Sequence, residues 1–286
     1  MKPVLSIVIP ALNEDAGIGA TLQPLHPLRM RGVELMLADG GSSDATTALA
    51  RPWVDAMVDA PRGRALQMNA GAALARADVL LFLHAETRLP PLADVLVLQV
   101  RQGAGGGACW GRFDVRIAGR PWMLRVVSWL MNLRSRLSGI VTGDQAIFVT
   151  REAFEQVGGF PVQPLMEDIE ISRRLKRLGP PACLRARVCT SGRRWEQCGV
   201  WRTIVLMWHP RWRYWRKPAL RRLPSACCNT RWLRPRRRMS DPSNCAPLRM
   251  PRIPRCRPRQ PDMAPCCPSK APAISACACS AHWRAA

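Results

Sequence analysis

Acidic residues are nearly missing from the last part of this chain, and so is lysine. Positions 209–286 hold 18 Lys and Arg against only Asp241 and Asp262, and just two of those basic residues, Lys217 and Lys270, are lysines. Residues 1–208 hold 25 basic and 18 acidic residues, so the net charge of +23 divides into +7 and +16. The same tail carries 8 of the 12 cysteines and 13 of the 26 prolines. Its Pro and Arg recur without helical or strand period, and such a chain cannot bury enough apolar surface to order itself. The sequence therefore predicts two parts: a globular domain over 1–208 and a disordered, basic, Pro/Arg/Cys-rich tail over 209–286. Three readings of the tail compete. A nucleic-acid-binding arm would draw phosphates, and a membrane-surface anchor would draw anionic lipid. Out-of-frame translation of a GC-rich gene would enrich Arg, Pro, Ala and Cys together. The scarcity of lysine favours the last.

Other absences bound the first part. No segment reaches the ~18 uninterrupted apolar residues of a spanning helix. The apolar run 4–12 is broken by Pro10 and followed by Asn13 and Glu14, not by a small-residue cleavage site. Cys109, Cys183, Cys189 and Cys198 lack zinc-ligand spacing. A cytoplasmic protein with reduced thiols is the expectation. There is no internal repeat.

What is present alternates short apolar runs with helical patterns. Strands are expected at 5–10, 34–38, 56–59 and 78–84, with helices near 15–28, 43–51 and 64–76. That alternation predicts a doubly wound α/β domain with a mostly parallel sheet. Farther on, 109–117 and 145–149 read as strands, and 120–137, 151–157 and 167–178 as helices. The last opens on Glu167 and Asp168 and stops at Gly179-Pro180. Ligands in such sheets bind beyond the carboxyl ends of the strands, which marks Asn13, Asp39 and Glu86.

The physics of single positions leaves alternatives open. Asp39 ends an apolar strand before Gly40-Gly41, so a ligand can approach closely; the same residue types also make a turn. Asp44 reads equally as a cap. Arg64 and Asn69 lie on roughly one side of a helix start, where Arg suits phosphate oxygens and Asn suits a ribose or an amide; a solvated face explains them equally. Glu167 and Asp168 at a helix start are favoured by the macrodipole whatever their function. His84 reads as a structural group at a strand end.

Several motifs occur in one order: Ser6-Ile7-Val8-Ile9-Pro10-Ala11-Leu12-Asn13-Glu14, Ala38-Asp39-Gly40-Gly41-Ser42-Ser43-Asp44, Gly63-Arg64 through Asn69, Leu83-His84-Ala85-Glu86-Thr87, Gly143-Asp144-Gln145, Met166-Glu167-Asp168 and Arg193-Arg194-Trp195. On them, residues 4–208 resemble the family 2 glycosyltransferases of the GT-A fold, and in particular a small bacterial branch whose genes accompany radical-enzyme clusters. The resemblance implies inverting transfer of a sugar from a nucleotide-diphosphate donor, UDP-linked, to a hydroxyl acceptor. It implies donor contacts at Pro10, Asn13, Glu14, Asp39, Arg64 and Asn69, with Asp39 accepting a uracil imide N–H. Glu86 stands where such enzymes carry a metal-binding acid; being one methylene longer than Asp, it puts Mn²⁺ or Mg²⁺ affinity in question. Asp168 is implied as general base and Glu167 as an acceptor-orienting or capping residue. Asp144, Arg193, Arg194 and Trp195 are implied as acceptor or diphosphate contacts, with burial the alternative for Trp195 and a solvated face for the arginines.

Segments 120–137 and 200–208, rich in Trp, Leu and Arg, suit an interfacial helix and a lipid-linked acceptor at the inner membrane face; packing on the core explains them too and is preferred. After Trp208, His209-Pro210 stands where the family continues a helix. Two rivals remain. A sugar-phosphate nucleotidyltransferase needs a basic Gly-rich loop after its first strand, and this chain has Pro10-Ala11-Leu12-Asn13-Glu14 there. A nucleic-acid binder acting through its tail leaves the motifs of the first part without a role.

Overall fold

In the computed structural model, described at residues 2–103, 107–163, 165–199, 201, 203 and 204, the first apolar run forms β1 (Leu5–Ala11), buried throughout. The expected tail 209–286 and most of 200–208 lie outside the described residues. Alternate β1 side chains enter two separate cores. Ile7 and Ile9 join Ile18 and Leu22 of α1 (Asp15–Leu22) on one face, while Val8 joins the cluster on the other. This is what a continuous apolar strand requires: both faces of the sheet must be covered.

The predicted helix 15–28 is instead two pieces, α1 and the short α2 (His26–Arg29), joined through a 3₁₀ turn at Gln23–Leu25. Pro24 and Pro27 lack the N–H groups that a continuous helix would use. β2 (Val33–Asp39) runs parallel to β1 with Ala11 level with Asp39. α3 (Thr46–Ala50), β3 (Ala56–Asp59) and α4 (Arg64–Leu74) follow. Helix α4 lies so close to β1 that a Cβ at Gly71 would strike Val8. Then come β4 (Val79–Phe82), the two-residue β5 (Thr87–Arg88), α5 (Ala93–Gln102) and β6 (Trp110–Ala118).

The remaining elements are α6 (Met123–Ser138), β7 (Ile147–Thr150), α7 (Arg151–Gln156), α8 (Glu167–Leu175), β8 (Ala182–Ser191) and α9 (Arg193–Cys198). The expected strand 145–149 starts later because Gln145 belongs to a 3₁₀ turn, Gly143–Gln145. The eight strands form one sheet in the order β3-β2-β1-β4-β7-β6-β8-β5, with β7 and β5 antiparallel to their neighbours and the rest parallel. The fold is the mixed, mostly parallel α/β arrangement expected.

Helix α6 is clamped onto β6 by side chains. Asn132 accepts the Val115 N–H at 2.8 Å and donates to the Val115 carbonyl at 2.9 Å, and Ser128 Oγ accepts the Ile117 N–H at 2.9 Å. Two backbone hydrogen-bonding groups of Val115 are thus satisfied by one amide side chain.

Candidate functional site

The carboxyl ends of β1 and β2 open into a loop organised by two acids. Asp39 is only 3% exposed. Its Oδ2 accepts the N–H groups of Gly41 and Ser42, each at 2.9 Å, and its Oδ1 accepts the Ser42 hydroxyl at 2.5 Å. A carboxylate has about four acceptor positions, so one on Oδ1 is left for a ligand donor. Asp44 accepts from the Thr46 N–H and hydroxyl and from the Asp15 N–H. Burial alone would raise its carboxyl, but these hydrogen bonds outweigh that and hold it below its ordinary value. Asn13, in the left-handed region at φ 54°, accepts the Ser43 N–H at 2.9 Å and donates its own N–H to Ser42 Oγ at 2.9 Å. Asn13 and Asp44 thus shape the loop, and Pro10 is buried within β1.

Beside the loop gathers a set of charges from four elements. The half-buried Glu14 carboxyl is raised first by burial and then by Glu86; Arg193 and Arg64 pull it back. Glu86 is exposed, and its carbonyl accepts the Ser191 N–H at 3.2 Å. Arg193 reaches over α1, its Nη2 being 3.7 Å from where a Cβ on Gly17 would stand. Arg64, the first residue of α4, is exposed, and no ion pair engages its guanidinium among the described residues.

Arg64 also acts on the acid-led start of α8. Glu167 is 8% exposed; burial raises its carboxyl, Asp168 raises it further, and its own N–H, Arg64 and His84 oppose the shift. Arg64 is therefore within electrostatic reach of both Glu14 and Glu167. Asp168 Oδ2 accepts the Gly143 N–H at 3.0 Å and Oδ1 accepts the Ile169 N–H at 2.8 Å. Asp144, in the same 3₁₀ turn, faces His84, with Oδ1 and Nδ1 3.3 Å apart. Met68, Phe82, His84, Phe160, Glu167 and Asp168 line a small cavity here. Ala146 (φ 47°) and Met166 (φ 67°), flanking this side, are non-glycine residues in the left-handed region. Each such residue costs about 1–3 kcal/mol, a strain that concentrates at functional sites.

Other residues singled out in the sequence have surroundings of their own. The Asn69 amide is held in both directions by Phe160, donating to its carbonyl at 2.8 Å and accepting its N–H at 2.9 Å, so it acts as a clamp between α4 and the 158–161 turn. Trp195 is 7% exposed within the apolar core, the burial alternative. Arg194 belongs to α9, and its side chain lies outside the described residues. His84, read from sequence as a strand-end structural residue, lines the cavity beside both α8 acids. Its position before Ala85-Glu86 was the available signal.

Among the described residues no three His, Cys, Asp or Glu side chains form a metal cage. An Mg²⁺ bound through one or two carboxylates plus substrate phosphates needs no such cage. The exposed Glu86 near Glu14 suits that mode.

The family described as Glycosyl transferase family 2 matches residues 6–154. The uncharacterized glycosyltransferase MT1564 of Mycobacterium tuberculosis is 28% identical over 197 residues, covering 65% of this chain and 74% of that protein. The probable glycosyltransferase YdaM of Bacillus subtilis is 27% identical over 199 residues, 62% of this chain and 47% of its own. Among solved structures, the mannosyltransferase PcManGT from Pyrobaculum calidifontis, in complex with GDP-Man and Mn²⁺, superimposes with a TM-score of 0.50 at 20% identity, covering 66% of this chain and 57% of that one. S. aureus TarS 1-349 in complex with UDP gives a TM-score of 0.54 at 14% identity, covering 66% and 60%. This chain thus spans less than two thirds of either solved chain, and the likeness is one of fold. With the family matching from Ser6 in β1 through Phe154 in α7, the chain belongs to glycosyl transferase family 2.

Proposed function

We propose that this chain is an inverting glycosyltransferase that moves a sugar from a UDP-linked donor to a hydroxyl acceptor. The observation that carries the reading is Arg64 itself, exposed at the start of α4, in no ion pair among the described residues, and within electrostatic reach of Glu14 and of Glu167. A guanidinium there suits the diphosphate that joins nucleoside to sugar, because its rigid fork matches phosphate oxygens. Arg193, which also acts on Glu14, is the second cation for that group. Asp39 keeps an acceptor position for the imide N–H of uracil.

In this reading Asp168 is the base. The acceptor oxygen attacks the anomeric carbon from the face opposite the diphosphate, the bond from that carbon to the diphosphate oxygen breaks, and Asp168 takes the hydroxyl proton. Its two backbone hydrogen bonds fix the carboxylate while leaving lone pairs on both oxygens. Asp144 and Glu167 flank the acceptor side. Glu86, with Glu14 beside it, would hold Mn²⁺ or Mg²⁺, and the cation supplies charge neutralisation of the leaving diphosphate. The fold relatives differ in nucleotide, UDP with TarS and GDP-Man with PcManGT. We assign the transferase domain to 1–208, cytoplasmic, and the tail 209–286 to out-of-frame translation.

The test is a thermal-shift titration with UDP, GDP and TDP, each with and without Mn²⁺. Stabilisation by UDP that needs Mn²⁺ and disappears in Asp39→Ala supports the proposal. A cooperative melt that no nucleotide moves overturns it, and a preference for GDP reassigns the donor base.

A further inference from the structure

Helix α6 packs one face inward and, among the described residues, leaves an apolar one outside. Leu124, Ser128, Met131 and Ser135 point inward and are buried. On the opposite side Trp122, which precedes the helix, continues with Val126, Trp129, Leu130, Leu133 and Leu137 into a single stripe at helical spacing. Trp122 is 73% exposed, Trp129 61% and Leu137 79%. A surface helix ordinarily turns polar residues outward, and two tryptophans left in water is the reverse. The segment 120–138 carries Arg120, Arg125, Arg134 and Arg136 and not one Asp or Glu. Arg120 and Arg125 are exposed at the helix's N-terminal end.

We propose that this outer face of α6 docks on the surface of an anionic lipid bilayer. Trp and Leu along one stripe, with the exposed Arg120 and Arg125 at its border, is the complement of such a surface; Arg136 is turned to Asp114, and Glu196 accepts the Arg120 N–H at 2.8 Å at the stripe's N-terminal end. No helix among the described residues is long and apolar enough to cross a membrane, so the contact lies in the interface plane. The docking face is rigidly joined to the site: Gln145 of the 3₁₀ turn donates to Ser135 Oγ at 3.1 Å and Asn132 Oδ1 at 3.3 Å on the inner side of α6. The turn that holds Asp144 and anchors Asp168 is therefore mounted on the lipid-facing helix. The proposal concerns binding and stands apart from the transfer reaction.

The test is co-sedimentation of the full chain with vesicles of phosphatidylcholine and phosphatidylglycerol, and with phosphatidylcholine alone, alongside quenching of tryptophan fluorescence by brominated lipid. The wild type binds the mixed vesicles more tightly and is quenched. W122Q/W129Q loses about tenfold or more in affinity and loses the quenching, and L137Q weakens binding in the same direction. M30Q, at a residue 85% exposed elsewhere, leaves binding unchanged. Equal binding by W122Q/W129Q and wild type places the contact in the basic tail and overturns the proposal. So does failure of the wild type to bind, or equal binding to neutral vesicles. Conversion of a dimer to a monomer by W122Q/W129Q assigns the stripe to a second copy of the chain, and a lowered melting temperature without lipid assigns it to the chain's own later residues. Either result also overturns it.

Discussion

The Asp168 carboxylate accepts the Gly143 N–H at 3.0 Å, tying the acidic start of α8 to the turn that carries Asp144. The two belong to segments far apart in sequence, and the bond is directional: an acceptor must stand at position 168 whatever chemistry that residue performs. This separates its structural part from its proposed catalytic one.

Asp168→Asn keeps an oxygen for Gly143 but cannot take a proton. Turnover should fall by about 10²–10⁴-fold; the amide also gives up the Ile169 N–H, a loss of about 0.5–1.5 kcal/mol in stability, while the UDP-induced shift stays unchanged. Steady-state kinetics beside the thermal titration reads both; undiminished turnover would move the base elsewhere.

Asn69→Ala should act on stability. It removes two hydrogen bonds to Phe160 and leaves that residue's backbone groups unpaired, at a cost of about 1–3 kcal/mol. Urea denaturation measures this, and nucleotide affinity should stay near wild type. A variant of normal stability that no longer binds UDP would restore Asn69 to the donor site.

Glu167 gives a pH dependence with a definite sign. Burial raises its carboxyl, and Asp168 adds to the shift. The native state therefore holds a proton that the unfolded chain has already released, so this residue's contribution to stability falls as pH rises from the ordinary carboxyl range through the raised value. Glu167→Gln lacks that loss. Its stability relative to wild type should improve as pH rises above the ordinary carboxyl range, measured by urea midpoints; an unchanged gap would mean Glu167 titrates normally.

Arg64→Ala should weaken nucleoside-diphosphate binding by roughly tenfold or more, since a hydrogen bond to a charged group is worth about 1.5–3 kcal/mol. Because Arg64 opposes the upward shifts of both Glu14 and Glu167, its loss should move both carboxyls further up. Calorimetry at several pH values checks both effects.

Local pattern carried the first half of the fold. β1, β2 and β4 are largely apolar runs, interrupted only by Ser6 in β1 and by Glu34 and the terminal Asp39 in β2, and α8 starts on acids and carries Arg173 and Arg174 in its last turn, so its polarity follows the helix dipole. β8 was not legible because Arg185 and Arg187 interrupt its apolar residues and most of the strand is only half-buried. α5 was missed because a run of Val and Leu does not separate helix from strand by period. In the site, the charged residues at strand ends were visible from sequence. The Asn69 contact with Phe160 was not, because its partner is distant in the chain, while the burial of Trp195 was one of the two readings its sequence left open.

The His84 ring occupies the space that a side chain on Gly143 would need: a Cβ there would run into its Cε1 and Nε2. The order of change at these two positions therefore matters. Gly143→Ala alone must displace the ring or the turn, whereas His84→Ala alone opens room and gives up only the Asp144 contact. A lineage or a designer can reshape this wall through the histidine first and the glycine second, and the reverse route passes through a damaged intermediate.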